Sequence, residues 1–402
     1  MKTKLFLLTL IIIIILFLKF LFFNYLNLFF LVVFFIFSSR IFLALSYKSF
    51  NEKISNDQKI DLISSFYNED EIIFQKFIKS ICLQSFPVNK VILIDDGSSN
   101  SNNRNYAKKF LTSKNIDHKI IIHKRNKGQR EGYVTGSNYI NGDLIFFTDA
   151  DTVLDKNCIK EIIKPFNNQK IVAVCGNLRA ENLTNFITKL CDSRFLYAFE
   201  FIRAGQSRLR SVLCVSGPIG AYRSKILKLV IKDKELFLNH NFLGKKVIAG
   251  DDRHLTTLVR KYGDVIFQKT ACAKTLVKDS FLTLIRQQLR WNRSFLREYF
   301  FLIRYLPIKN LSFVLYTIDM ALYFSPLGIL ILLISGMFNE FILIMSMWCI
   351  YNFFVTTILL GLKFFIKKPI NLIFGIFSAI GGTIFMIPIK ILSIVTITNS
   401  TW

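Results

Sequence analysis

Several acidic pairs and one cationic loop are the residues here whose types and spacing could do chemistry. Asp149 and Asp151, with Ala150 between them, close the apolar run Leu144-Ile145-Phe146-Phe147. Four consecutive apolar residues read as a strand buried on both faces. Open α/β sheets bind ligands beyond the carboxyl ends of their strands. Two carboxylates there can hold a hard divalent cation, Mg2+ or Mn2+, which in turn bridges phosphate oxygens. The rival reading is a solvated acidic turn. Ser64-Ser65-Phe66-Tyr67-Asn68-Glu69 and Asp95-Asp96-Gly97-Ser98-Ser99 follow two other apolar runs. A carboxylate at such a strand end can accept from a uracil ring or a ribose, and Gly97 permits the tight turn. Lys124, Arg125, Lys127 and Arg130 surround Gly128, a grouping suited to a diphosphate. Gly250-Asp251-Asp252-Arg253 and Gln287-Gln288-Leu289-Arg290-Trp291 complete the series. Taken singly, each has an ordinary counterpart: a turn, a solvated basic face, a helix N-terminus or an interfacial tryptophan.

The elements that must position these groups follow from periodicity. Strands are expected at Ile60–Phe66, Val91–Ile94, Lys119–His123, Leu144–Thr148 and Ile171–Cys175, with helices between them at Asp70–Gln84 and Ser101–Ser113. That alternation is a βαβ arrangement. On each side of it the chain is apolar. Residues 5–23 and 25–46 form two runs, each long enough for a hydrocarbon core of ~30 Å. Lys2 and Lys4 precede the first, but no small-residue cleavage site follows, so it reads as an anchor and not a signal peptide. Lysines flank the pair, which places both its ends on the cytoplasmic side. Three further apolar runs lie near 311–336, 341–362 and 370–396. The last contains Gly381-Gly382, Pro388 and Lys390, and reads as a tilted span or a broken helix that returns. Residues 280–306 mix Phe, Leu and Trp with five Arg, the composition of a helix lying in a membrane interface. The domain expectation is therefore a transmembrane hairpin over 1–49, a cytosolic α/β domain over 50–279, interfacial helices over 280–308 and a transmembrane region over 309–402.

Composition agrees with that division. The 402 residues are 52% hydrophobic, include 42 Phe and carry a formal charge of +25. A charge of that size suits nucleic acid, a membrane surface or phosphorylated substrates. The apolar spans favour membrane lipids and phosphate, and no nucleic-acid module is present. Seven cysteines without a Cys-x-x-Cys pair argue against a zinc site or disulfide framework, and for a reducing compartment.

Taken in order, these motifs resemble the processive family 2 glycosyltransferases, and among them the bacterial class I hyaluronan synthases. The likeness rests on Asp95-Asp96-Gly97-Ser98, Asp149-Ala150-Asp151, Val215-Ser216-Gly217-Pro218-Ile219-Gly220-Ala221-Tyr222-Arg223, Gly250-Asp251-Asp252-Arg253-His254-Leu255-Thr256, Gln287-Gln288-Leu289-Arg290-Trp291 and the tail from Pro388 to Trp402. It implies a GT-A-type domain set between transmembrane helices at the plasma membrane. The substrates it implies are UDP-N-acetylglucosamine and UDP-glucuronate, joined with inversion into a polysaccharide that is exported. Asp252 would be the general base, and Asp151 with Asp149 would hold Mg2+ or Mn2+. Asp95 and Asp96 would serve the uridine, Lys127 and Arg130 the diphosphate. Gln287, Arg290 and Trp291 would line the acceptor site, with Ser216, Gly217, Asp251, Arg253 and Trp402 also around the substrates. His254 reads as structural. No obligate protein partner is implied. Two departures stand out: Gly128-Gln129-Arg130 replaces the usual Gly-Lys-Arg, and Trp402 ends the sequence where relatives continue with a segment that closes over the nucleotide. Alternatives are a synthase of a chitin-like oligomer from one UDP-sugar, and an inactive membrane scaffold or transporter.

Overall fold

The computed structural model describes residues 26–54, 58–334, 336, 338–355 and 385–399. The apolar run 5–23 and most of 370–396 lie outside the described residues.

Among the described residues, ten strands occur in chain order: β1 (Ile60–Phe66), β2 (Lys90–Asp95), β3 (His118–Ile122), β4 (Leu144–Phe147), β5 (Thr152–Leu154), β6 (Ile171–Ala180), β7 (Gly220–Arg223), β8 (Asn241–Phe242), β9 (Lys245–Lys246) and β10 (Asp264–Thr275). Eight form one sheet in the order β3-β2-β1-β4-β7-β6-β10-β5, and β8 pairs with β9 in a second, two-stranded sheet. β1, β2, β3 and β4 are parallel, as the βαβ reading requires. β7 runs antiparallel between β4 and β6, and β5 runs antiparallel to β10, so the sheet is mixed. All four residues of β4 are buried, because helices cover both faces.

The helices used below are α1 (Leu26–Ser46), α2 (Glu71–Cys82), α3 (Asn102–Ser113), α4 (Gln129–Ser137), α5 (Phe186–Tyr197), α6 (Ser224–Lys232), α7 (Asp251–Val259), α8 (Phe281–Tyr305), α9 (Leu311–Ile334) and α10 (Phe338–Val355). α2 starts at Asp70, whose carboxylate accepts from the backbone N–H groups of Ile72 and Ile73, filling donors that a helix start leaves open. Its face Phe74, Phe77, Ile78 and Ile81 enters the core. β1 and β4 meet at a point where chain connections leave in opposite directions. Such a switch point opens a crevice at the strand ends.

The described parts of the expected spans 25–46, 311–336 and 341–362 fall in the helices α1, α9 and α10, and residues 356–362 lie outside the described residues. Over the described residues, no helix is long and apolar enough to cross a membrane; the side chains of 26–34 and many in α9 and α10 fall outside them. Arg40 of α1 forms an ion pair with Asp319 of α9. Tyr47 and Phe50, just after α1, are stitched to β10. The Tyr47 hydroxyl donates to the Phe267 carbonyl at 2.8 Å, and the Phe50 N–H donates to the buried Gln268 amide at 3.0 Å. The interfacial region expected over 280–308 is one continuous 25-residue helix, α8.

Asp61 fastens the entry ends of the parallel strands. It is fully buried and accepts from Asn89 Nδ2 at 2.6 Å and from the N–H groups of Asn141 and Gly142 at 2.7 Å each. These partners lie at the starts of β2 and β4. Replacing Asp61 by Ala leaves buried donors without acceptors, at a cost of about 3 kcal/mol or more. Asp61→Ala is therefore expected to melt at a clearly lower temperature than the parent in a detergent-solubilised thermal scan. An unchanged midpoint would remove Asp61 from this role.

Candidate active site

The carboxyl ends of β1, β2 and β4 form one rim. At the end of β2, Asp95 accepts from Ser98 N–H at 2.8 Å and pairs with Arg104 at 2.5 Å. Asp96 accepts from the His123 ring at 2.7 Å, from Lys127 N–H at 3.0 Å and from Gly128 N–H at 2.8 Å. Both of its oxygens thus hold the loop 123–128 in place. Gly97 has φ +86°, and a Cβ there would lie 2.7 Å from the Arg125 carbonyl carbon. Only glycine tolerates both the conformation and the approach. The Lys127 side chain is exposed. Arg130, at the start of α4, is buried; its Nη1 donates to the Phe237 carbonyl at 2.7 Å. Its Nε and Nη2 have no partner among the described residues, an unusual state for a buried guanidinium.

β4 delivers Asp149 and Asp151. Burial, then Asp151 and Asp251, hold the Asp149 carboxyl well above the usual carboxylate range, against a hydrogen bond from Gln129. That bond runs from Gln129 Nε2 to Asp149 Oδ1 at 2.8 Å, and the same nitrogen lies 2.7 Å from the Tyr133 hydroxyl. The residue that departs from the Gly-Lys-Arg pattern therefore holds the metal-candidate carboxylate with a neutral donor. Burial also raises Asp151, opposed by the hydroxyls of Thr275 and Thr152; they donate to it at 3.0 and 3.2 Å. Across from Asp149 lies Gly217, where a Cβ would stand 3.8 Å from Asp149 Oδ1 and 3.7 Å from Gln129 Nε2. Ser216 beside it donates its N–H to Cys175 Sγ at 3.4 Å.

Asp251 and Asp252 open α7, in the place the helix-N-terminus reading gives them. Gly250 precedes them with φ +91°; its Cβ would overlap Ser294 of α8, which brings the two helices together. Burial and then Asp252 push Asp251 up to about 6, while Arg130 and Arg290 pull it down. Asp252 Oδ2 accepts from the Cys214 thiol at 3.5 Å, and Oδ1 from the Arg253 N–H at 2.7 Å. Thr256 Oγ1 donates to the Asp252 carbonyl at 2.7 Å and accepts from Val215 N–H at 2.8 Å. Burial depresses Arg290, and its opposing charges are Asp251, Asp252 and Asp149. Gln287 is half-buried on the same helix, and Trp291 is 41% exposed. The structure thus brings Asp149, Asp151, Asp251, Asp252, Arg130, Arg290 and Gly217 into one electrostatic site. Arg253 faces another way: its Nη1 lies 3.3 Å from the Tyr316 hydroxyl and its guanidinium 5.4 Å from the Phe295 ring, tying α7 to α9. Trp402 lies outside the described residues.

Some residues of the site carried no assigned role in sequence. Glu69 is pushed up to about 7 by burial and then Asp151, with Lys278 opposing. Its place three residues past the end of β1 was the available signal. Lys278, Thr275, Cys214 and Tyr133 gave none. His254 is buried as expected for a structural residue. Its Nδ1 faces Glu298 at 3.0 Å and its Nε2 the Leu236 carbonyl at 2.7 Å. His240, His254 and Glu298 have potential ligand atoms within 4.8 Å of one another. The two rings are stacked, however, at 4.1 Å and 26°. A ligated ion lies in the plane of each imidazole, so stacked rings cannot share one, and both His254 nitrogens already face acceptors. The Asp149–Asp151 pair suits a hard cation better: its oxygens are buried, mutually repelling and short of positive charge.

The pattern described as glycosyl transferase family 2 matches residues 61–230. The chain is 30% identical over 367 residues to the hyaluronan synthase of Streptococcus pyogenes, covering 90% of this chain and 86% of that one. It is 28% identical over 357 residues to an N-acetylglucosaminyltransferase of Azorhizobium caulinodans, covering 86% of each. A solved mannosyltransferase from Pyrobaculum calidifontis, in complex with GDP-Man and Mn2+, superposes with a TM-score of 0.58. It is 13% identical, and the match covers 89% of this chain and 95% of that one.

The raised Asp251 gives a pH test. A carboxyl bound more tightly by protons in the folded state adds stability at low pH and loses it as pH rises through about 6. In chelator, Asp251→Asn should therefore melt higher than the parent at pH 8, by about 2 kcal/mol or roughly 4 °C and more. The gap should close towards pH 4.5. An equal gap at both pH values would contradict the strained-carboxylate account.

Proposed function

As the chain belongs to glycosyl transferase family 2, beside the hyaluronan synthases, and has the GT-A type of fold, we propose that it is a processive, inverting synthase. It joins UDP-N-acetylglucosamine and UDP-glucuronate into a polysaccharide and exports the growing chain. In this reading the α/β domain faces the cytosol, and the apolar helices anchor it in the plasma membrane among lipids. The observation that carries the proposal is the convergence of Asp149, Asp151, Asp251, Asp252 and Arg290 from the end of β4, the start of α7 and the third turn of α8.

The chemistry follows from what each side chain can do. A sugar hydroxyl of the acceptor forms a bond to the anomeric carbon of the donor, on the face opposite UDP. The bond from that carbon to the diphosphate breaks, and UDP leaves with the electron pair. Asp252 takes the hydroxyl proton; its carboxylate is oriented by the Cys214 thiol and the Arg253 N–H. Arg290 and Arg130 meet the charge that grows on the diphosphate, and Arg130 has two nitrogens ready for it. Asp149 and Asp151 would hold Mg2+ or Mn2+, which when bound supplies Lewis-acid stabilisation of the diphosphate. Trp291 is exposed enough to stack on an acceptor ring. Asp95 and Asp96 shape the loop that would receive uridine, with Lys127 at its edge.

A second reading, a chitin-like oligomer synthase, draws on the likeness to the N-acetylglucosaminyltransferase. Donor dependence separates the two. Purified protein in vesicles should make long, hyaluronidase-sensitive polymer only when both UDP-sugars are present. Asp252→Asn should lower the rate by about 100-fold or more. Product from UDP-N-acetylglucosamine alone would move the protein to the chitin-like class. UDP release should also stop in excess chelator and return with Mn2+ or Mg2+. Release that continues undiminished in chelator would strike out the role given to Asp149 and Asp151.

A further inference from the structure

The hairpin β8–β9 stands outside the site, and its tip is disfavoured in water on two counts. Asn241 pairs with Lys246 and Phe242 with Lys245, leaving Leu243 and Gly244 as a two-residue turn. Both have positive φ, +49° and +77°. Turns of this kind normally take Asn-Gly or Asp-Gly, because the left-handed conformation crowds a larger side chain. Leu243 is also 75% exposed, so little packing among the described residues offsets that strain. Strain of this sort persists where function requires it.

The surroundings name an occupant. The Phe242 ring lies 5.8 Å from that of Phe300 on α8. Phe300 is itself 51% exposed, and Ile303, one turn on, 46%. The exposed apolar surface continues along the chain through Ile308, 74% exposed, into the start of α9. Lys245 and Lys246 stand exposed behind the tip, and Arg304 and Lys309 are exposed on the α8–α9 stretch. An apolar tip backed by cations is the pattern of a segment lodged at the headgroup–acyl boundary of an anionic bilayer. A second copy of this chain fits less well, since pairing two such tips would set lysines against lysines.

We propose that the Leu243–Gly244 tip enters the lipid surface, with Lys245 and Lys246 on anionic headgroups, and so fixes the height of α7 and α8 above the membrane. This rests on the membrane-anchored reading above, and the test separates the two. A photoreactive benzoylphenylalanine replaces Leu243 in the full chain, reconstituted in phosphatidylglycerol–phosphatidylcholine vesicles. A parallel sample carries it at Ile334, an exposed position at the end of α9. Illumination should give lipid adducts at both positions. Lys245→Gln with Lys246→Gln should cut the yield at 243 several-fold while leaving that at 334 unchanged. Adducts at 334 with none at 243, or with a crosslinked dimer at 243, would overturn the hairpin proposal alone. No lipid adduct at either position would overturn the anchored reading and this inference with it.

Discussion

Buried negative charge is the constraint around which this structure is arranged. Asp149, Asp151 and Asp251 are all held above the ordinary carboxylate range, and burial is the largest cause for each. Like charges at close range inside a protein repel by several kcal/mol at an effective dielectric of about 20. No chain keeps them together through their own attraction. The rim of β1, β2 and β4, braced by Asp61 at its far end, fixes the backbone that carries Asp149 and Asp151, and Gly250 packed on Ser294 fixes that of Asp251. Arg130 and Arg290 offset the repulsion only in part. Such a centre favours a ligand that brings positive charge to the carboxylates and negative charge to the arginines at once. A divalent cation with a nucleoside diphosphate has that distribution, and neither component alone does.

Rigidity between elements matters as much as the carboxylates. The proposed base is on α7, and the residues proposed for the acceptor are on α8. Contact between Gly250 and Ser294 brings these helices close. Deeper in, His254 of α7 meets Glu298 of α8. Burial alone would raise Glu298, but the His254 charge and hydrogen bond hold it below its usual range. His240 stacks on His254 and is pushed down to about 3 by burial and by His254, so it remains neutral beside the pair. Truncating one partner would leave a buried charge alone, the costly direction for any buried ion pair. The helix of the proposed base and that of the proposed acceptor residues are thus joined by the His254–Glu298 contact.

What the sequence made legible divides along physical lines. β1 appears over the residues expected, Ile60–Phe66, because its apolar Ile60, Leu62, Ile63 and Phe66 are all buried and the polar Asn68-Glu69-Asp70 follow closely. β6 runs twice as far as the Ile171–Cys175 expectation, through Asn177 and Arg179, since tertiary partners there outweigh polarity. β10 was not foreseen: Gln268, Lys269 and Thr270 interrupt its pattern, and that stretch coincides with a break in its register to β6. The motif carboxylates could be found because their chemistry demands a residue type. Their supports could not. Thr275, Lys278 and Cys214 reach Asp151, Glu69 and Asp252 only through strand order and loop crossings that no local spacing encodes. Gln129 was visible as a departure, yet its bond to Asp149 depends on the approach of α4 to β4.

The large positive charge and the acidic centre look contradictory until each is placed. The carboxylates of the centre are buried, whereas cations such as Lys127, Lys245, Lys246 and Lys278 are exposed. Exposed charges act through solvent and are screened within about 8–10 Å, so this surplus does little to neutralise Asp149 or Asp251. Two arginines do act at short range in another way. Arg293 donates to Thr396 Oγ1 at 2.8 and 3.0 Å, and Arg297 Nη1 donates to the carbonyls of Ile397 and Asn399 at 3.3 and 3.1 Å. Both belong to α8, within two turns of Arg290. The helix proposed to meet the departing diphosphate is therefore the one that holds residues 396–399.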